Sequence, residues 1–289
     1  MPGGRVVKQT DKICGLGNRT LAGHDGCVME THDIEPENWL AKTTPAATVV
    51  IFRRDPEGGA AQLLMVERNA SLKFAGGATV FPGGKIDPAD RELATRLGGE
   101  IEDMAARVAA VRETLEETGL VIGIEGAVDG AIAAEARRML ISGGDLAPVL
   151  DAYGWRLVPD QLVPFARWWP KHRTERIFDT RFYLADLGTG AVDIEVDATE
   201  NRHLFWASAK GALDLAAERK IKVIFPTRRN LERLAQFETF EEARAHAEAT
   251  PVGTISPYVE QRDGEHWLMI PDDLGYPVRG EPLEMAQRG

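Results

Sequence analysis

Two spacings of apolar residues alternate along this chain. Ala46 to Phe52 and Gln62 to Val66 are short apolar runs rich in β-branched residues, as buried strands require. Pro56-Glu57-Gly58-Gly59 between them reads as a turn, so the pair is expected as a hairpin. Ala78 to Phe81 is a third strand, and it feeds directly into Pro82-Gly83-Gly84. The spacing then becomes helical. Arg91 to Leu97 is a short helix-forming run broken by Gly98-Gly99. Glu100, Glu102 and Asp103 place acids at the start of a new helix, where its dipole favours them. Met104, Val108, Val111 and Leu115 form the stripe of a core-facing helix, and Gly119 suits a left-handed cap at its end.

Val121 to Ile124 is expected as a strand, and the alanine-rich stretch from Glu125 to about Leu150 as helix broken at Gly143-Gly144, a cap over the region before it. Leu162 to Trp169 and Phe178 to Ala185 read as strands and Ala207 to Arg219 as a helix. Two short helices follow in 226–249 and a hairpin in 254–270. Helices on both faces of a mixed sheet make an α/β/α sandwich. The pattern divides the chain into three parts. Residues 1–40 are a glycine-rich arm expected to be poorly ordered, and 41–225 are a domain with insertions at about 91–104 and 125–155. Residues 226–289 are a helical and hairpin extension packed on the same domain.

Composition narrows the partners. The 289 residues carry a net charge of −11, which argues against a nucleic-acid polymer, since phosphate backbones are met by basic patches. A small phosphorylated substrate stays compatible, because metal ions can neutralise both sides locally. The two cysteines, Cys14 and Cys27, have neither metal-ligand spacing nor the density of a disulfide scaffold. No apolar run approaches the length of a membrane helix, so no membrane partner is expected. The N-terminus has no apolar signal core and the C-terminus no peroxisomal address, which leaves the cytoplasm as the expected location. A monomer or a homodimer is equally compatible.

The helix ending at Gly119 breaks a local rule. Glu113, Glu116 and Glu117 stand at i, i+3 and i+4, on the side opposite the apolar stripe. Like charges at these spacings repel by roughly 0.2–0.5 kcal/mol per pair. They also sit at the negative end of the helix dipole. A hard divalent cation with oxygen ligands would convert that repulsion into attraction. The other reading is a solvated acidic face neutralised by Arg112 and Lys85.

With the glycines upstream, the pattern resembles the signature of the Nudix hydrolases: glycine, five residues, glutamate, seven residues, then Arg-Glu-x-x-Glu-Glu-x-Gly. Gly84 matches the first glycine, Asp90 stands where the family has glutamate, and Arg112-Glu113-x-x-Glu116-Glu117-x-Gly119 matches the rest. Residues 91–111, 21 in all, occupy the gap of seven, so an insertion of 14 splits the box. A split box is similar to the branch containing the peroxisomal coenzyme A diphosphatases. So are Trp169-Pro170 with Arg176-Ile177-Phe178-Asp179-Thr180-Arg181-Phe182, and Phe225-Pro226-Thr227 with Asn230-Leu231. The resemblance spans roughly residues 44–275.

It implies a Nudix-type α/β/α sandwich and Mg²⁺- or Mn²⁺-dependent hydrolysis of a diphosphate bond in a nucleoside diphosphate linked to another moiety. Coenzyme A or an acyl derivative leads; ADP-ribose, dinucleoside polyphosphates and damaged nucleotides are alternatives. So is a non-catalytic nucleotide sensor on the same fold. The implied metal ligands are Glu113, Glu116, Glu117 and the carbonyl of Gly84. Glu113 is a third ligand or the general base, Arg112 orients it, and Glu200 is a second candidate base. Arg68, Lys85 and Arg176 are candidate substrate contacts, as is Arg181. Trp168 and Trp169 are either base-stacking or packing residues.

Overall fold

The computed structural model describes residues 42–70, 75–171, 177–188 and 201–288. The 1–40 arm, both cysteines, Arg176 and Glu200 lie outside the described residues. The first expected hairpin forms from β1 (Thr43–Arg53) and β2 (Gln62–Arg68), antiparallel, with Phe52 opposite Leu63. β1 also runs parallel to β8 (Ile177–Asp186), which pairs antiparallel with β7 (Val163–Trp168). The main sheet is therefore mixed. Its order is β10 (Thr254–Ile255), β7, β8, β1, β2, β3 (Thr79–Val80), with β4 (Gly83–Lys85) on β1 and β9 (Asn201–Ser208) on β2.

Strand alternation sorts side chains onto two cores. Ala47, Val49, Ile51, Leu64, Val66 and Tyr183 face one, with α1 (Pro88–Leu97) and α2 (Ile101–Thr118) against them. Val50, Phe52, Leu63, Met65, Phe182 and Leu184 face the other, covered by α5 (Ala209–Ala217), α6 (Phe225–Leu234) and α7 (Phe240–Ala249). This is the expected α/β/α sandwich. Ile255 and Ile270, from beyond residue 225, lie in the second core, and β10 extends the sheet itself.

Three local expectations are corrected. Val121 to Ile124 is not a strand in the main sheet. Leu120 and Ile122 are buried in the first core, Gly123 takes φ 60, and only Ile124–Glu125 pairs, with Arg156–Leu157. Asn201 and His203, expected in a loop before the helix that starts at Ala207, belong to strand β9, which runs to Ser208 and sets His203 opposite Glu67. The helical insertion, α3 (Gly130–Gly143) and α4 (Leu146–Tyr153), buries Ala136, Leu140 and Val149 in the first core, so it backs α2 as packing.

Between β1 and β2 the sheet opens. The two strands pair at Phe52 and Arg53, while farther along β3 pairs with β2 and β4 with β1. The segment from Thr79 to Lys85 thus crosses from one strand to the other and carries the glycine pair to the face of β1.

Candidate active site

Helix α2 is fixed at both ends by its own sequence. The Glu100 carboxylate accepts the Glu102 and Asp103 backbone N–H groups, at 3.2 and 2.6 Å. Gly119 takes φ 73 as the left-handed cap, and its N–H donates to the Leu115 carbonyl. Ala105, Ala106, Ala109 and Ala110 are fully buried alongside Val108, Val111 and Leu115. The small side chains let the helix sit close to the sheet.

The acidic face turns to the glycine loop rather than to solvent. Gly83 has no room for a side chain: at φ 150, a Cβ would lie 2.2 Å from the Ala47 carbonyl oxygen. Gly84 is constrained differently, because a Cβ there would meet the Glu113 carboxylate carbon at 2.3 Å. The Glu113 carboxylate thus rests directly over the Gly84 backbone. One turn on, buried Glu117 accepts the Gly83 N–H at 3.1 Å. Both acids are anchored to the same loop by successive turns of one helix.

Arg112 holds the other side. Its Nε and one terminal nitrogen donate to the two Asp90 oxygens, each at 2.9 Å, in a bidentate pair where both side chains are buried. The same nitrogen donates to the Lys85 carbonyl, the other terminal nitrogen donates to Glu113 at 2.9 Å, and Glu116 lies 3.7 Å from it. Asp90 in turn accepts the Asp87 N–H in the capping box of α1. The shorter carboxylate therefore reaches its arginine from a helix start, on the insertion side of the split box. Burial pushes the Glu113 carboxyl up to about 7; Arg112 opposes that shift and Glu116 adds to it.

Around one guanidinium stand Asp90, Glu113 and Glu116, with Glu117 a turn away. Asp90 suffices to balance the Arg112 charge, and Glu113 and Glu116 add further carboxylates within 4 Å of the same guanidinium. Carboxylate oxygens are the donors a hard divalent cation prefers, and the missing Cβ at Gly84 lets the Glu113 carboxylate lie against the loop. The residues present fit such an ion. Glu113 is held by Arg112 and Glu117 by the Gly83 N–H, and among the described residues no three acidic, imidazole or thiol groups stand together as a closed ligand set.

Residues 42–132 match the family model described as the NUDIX domain. The chain carries a Nudix domain. A solved NUDIX hydrolase from Alicyclobacillus acidocaldarius is 27% identical and aligns over 70% of this chain and 96% of its own, with a TM-score of 0.60. More distant are a C. elegans Ap4A hydrolase in a binary complex (16% identity, 60% and 86% covered, TM-score 0.34) and the Nudix domain of Shewanella oneidensis NrtR complexed with ADP ribose (14%, 69% and 96%, 0.35). No curated protein matches the chain. The protein is an enzyme of the diphosphohydrolase type, and the four carboxylates and Arg112 lie within the Nudix segment.

The other candidates fall in different places around the Nudix site. The alternation that puts Leu64 and Val66 against α2 carries Arg68 to the same face. Its Nε is buried without a hydrogen-bond partner, and among the described residues its guanidinium makes no ion pair. Lys85 gives its carbonyl to Arg112. Its exposed side chain falls on the opposite face of β4 from Gly84, so it does not neutralise the acids. Arg181 lies at the far end of α2, against Asp103 at 3.3 Å. Strand alternation separates the tryptophans. Trp168 is core and bonds Asn230, whereas Trp169 donates to Thr43 on the α2 side and lies under Arg167 and Lys171. His203 stacks on Phe205. One contact had no signal in the sequence: Arg137, from the insertion, donates to the Glu116 carbonyl at 2.9 Å. No helix among the described residues is long and apolar enough to cross a membrane.

Proposed function

We propose that this enzyme hydrolyses the diphosphate bond of a nucleoside diphosphate linked to another moiety, coenzyme A or an acyl derivative leading, with Mg²⁺ or Mn²⁺. Glu113, Glu116, Glu117 and the Gly84 carbonyl would hold the ion. When bound, it supplies charge neutralisation for the diphosphate and acidifies water beside it.

The protein's own groups divide the remaining work. Arg112, fixed by Asp90 and the Lys85 carbonyl, sets the Glu113 carboxylate in one orientation. Glu113, whose proton affinity burial has raised to about 7, is suited to accept a proton near neutral pH. Glu200 remains a second candidate base, outside the described residues. Among the described residues Arg68 is a cation without a carboxylate partner on the catalytic face, and a substrate phosphate would complete it. Arg176, also outside the described residues, stays a substrate candidate from its place near a predicted strand end. Helix α3 stiffens the end of α2 through Arg137.

The observation that carries this reading is the gathering of Glu113, Glu116 and Glu117 beside Arg112 on one end of α2, with Glu113 and Glu117 against a loop where two glycines leave no side chain in the way. A sensor built on the same fold would have no use for that arrangement. The test is turnover of coenzyme A, ADP-ribose and a dinucleoside polyphosphate with Mg²⁺ and Mn²⁺, products identified by mass spectrometry. Glu116→Gln and Glu117→Gln should each lower kcat at least about a hundredfold. Full activity in both variants contradicts the reading, and preference for another diphosphate over coenzyme A corrects the substrate alone.

A further inference from the structure

Helix α3, from the insertion, carries one residue that its packing does not require. Ala133, Ala136, Arg137 and Leu140 stand at i, i+3, i+4 and i+7, and all four are buried. They are the stripe that α3 turns inward. An apolar side chain at the third place would suit that stripe, since burying a guanidinium costs far more than burying a hydrocarbon of like size. The next residue shows the ordinary alternative: Arg138 turns to solvent, its side chain 70% exposed, and pairs with Glu135.

What Arg137 does in its buried place is specific. Its Nε donates to the Glu116 carbonyl at 2.9 Å. That carbonyl belongs to the last turn of α2, where the helix offers no partner of its own. The Leu115 carbonyl is served by the Gly119 N–H, but the Leu120 N–H, next in line for Glu116, donates to the Thr118 hydroxyl instead. Arg137 supplies that missing donor from 21 residues along the chain. It also brings a positive charge to the negative end of the helix dipole, where the last turn of α2 has no basic residue. The peptide it grips is the one that joins Glu116 to Glu117.

We propose that Arg137 is a positioning residue for the acids of α2: by fixing the peptide between Glu116 and Glu117 it holds both carboxylates at the spacing a divalent ion needs. This role rests on the divalent-ion reading above. It makes the helical insertion part of the site's support rather than packing alone.

The test is calorimetric titration of the full chain with Mn²⁺, beside urea unfolding of each variant. Arg137→Met removes the donor and suits the apolar stripe, and it should weaken Mn²⁺ affinity about 10-fold or more. Arg137→Gln sets an amide N–H as many bonds from the backbone as Nε, and should restore the affinity to within about threefold of wild type. Leu140→Ala loosens α3 at the neighbouring place on the stripe and leaves the bond to Glu116. It should lower the unfolding midpoint and keep the Mn²⁺ affinity. Arg137→Ala takes the place of Arg137→Met if that variant does not fold. Wild-type affinity in the variant lacking the donor overturns the proposal. So does an equal loss of affinity in Leu140→Ala or in Arg137→Gln. No Mn²⁺ uptake by the wild type would overturn the divalent-ion reading itself, and this role with it.

Discussion

Arg112 and Arg233 are both buried arginines on helices that flank the same sheet, and they are opposites. Arg112 has more carboxylate around it than one charge can balance: Asp90 bidentate, Glu113 in hydrogen bond and Glu116 at 3.7 Å. Arg233 has a carbonyl, an imidazole nitrogen and two ring faces. A surplus of anions around a buried cation leaves a site that wants another cation. A deficit is met here by neutral acceptors and ring faces instead. Charge counted at the level of single buried groups separates two surfaces that the net charge of −11 would lump together.

The comparison breaks most visibly at Arg112. Arg112→Met leaves Asp90, 1% exposed, as an uncompensated buried charge, and should cost about 3–5 kcal/mol in urea unfolding. Asp90→Asn in the same background should recover much of that loss. If Arg112→Met is as stable as wild type, the bidentate pair is not what holds α1 to α2.

The glycine pair gives a sharper, smaller effect. Gly83→Ala sets a Cβ against β1 backbone and should destabilise the fold by ~2 kcal/mol or more. Gly84→Ala meets only the end of the Glu113 side chain, so stability should hold while kcat falls roughly 10- to 100-fold. Equal stability losses in both variants would erase the distinction between a packing glycine and a site glycine.

Some of this was legible in the sequence, and the reasons are local. The caps of α2, its apolar stripe and the first hairpin follow from residue choices within a few positions, and all three form. Glu113, Glu116 and Glu117 stand out because their spacing opposes both the helix dipole and each other. What failed depends on contacts far along the chain. Asp90 reaches Arg112 across 22 residues, and nothing in either neighbourhood marks the other as its partner. Asn201–Ser208 becomes a strand because β2 offers it an edge, not because its residues alternate cleanly. The first of the two short helices expected in 226–249 carries Arg228, Arg229, Asn230, Glu232 and Arg233, yet Arg229, Asn230 and Arg233 are buried. Polarity rules place such side chains in water; here tertiary hydrogen bonds take water's place.

The smallest expected effect tests the α6 side. Burial raises Glu232 from the usual 4.5 to about 7, with Arg229 opposing and Glu281 adding to the shift. The folded state therefore holds this proton more tightly than the unfolded chain. Its contribution favours folding below about 4.5 and is lost as the pH rises to about 7. Glu232→Gln should flatten that part of the stability profile, read from urea midpoints across the window. An unchanged profile would show that Arg229 holds Glu232 ionised throughout.

The central claim is that the acids of α2 surplus to Arg112 exist to hold a divalent ion, and calorimetric titration of the protein with Mn²⁺ tests it directly. Saturable uptake in the wild type, abolished in the Glu116→Gln, Glu117→Gln double variant while its unfolding midpoint is kept, is the predicted result. No uptake by the wild type, alone or with a non-hydrolysable diphosphate present, would contradict the account.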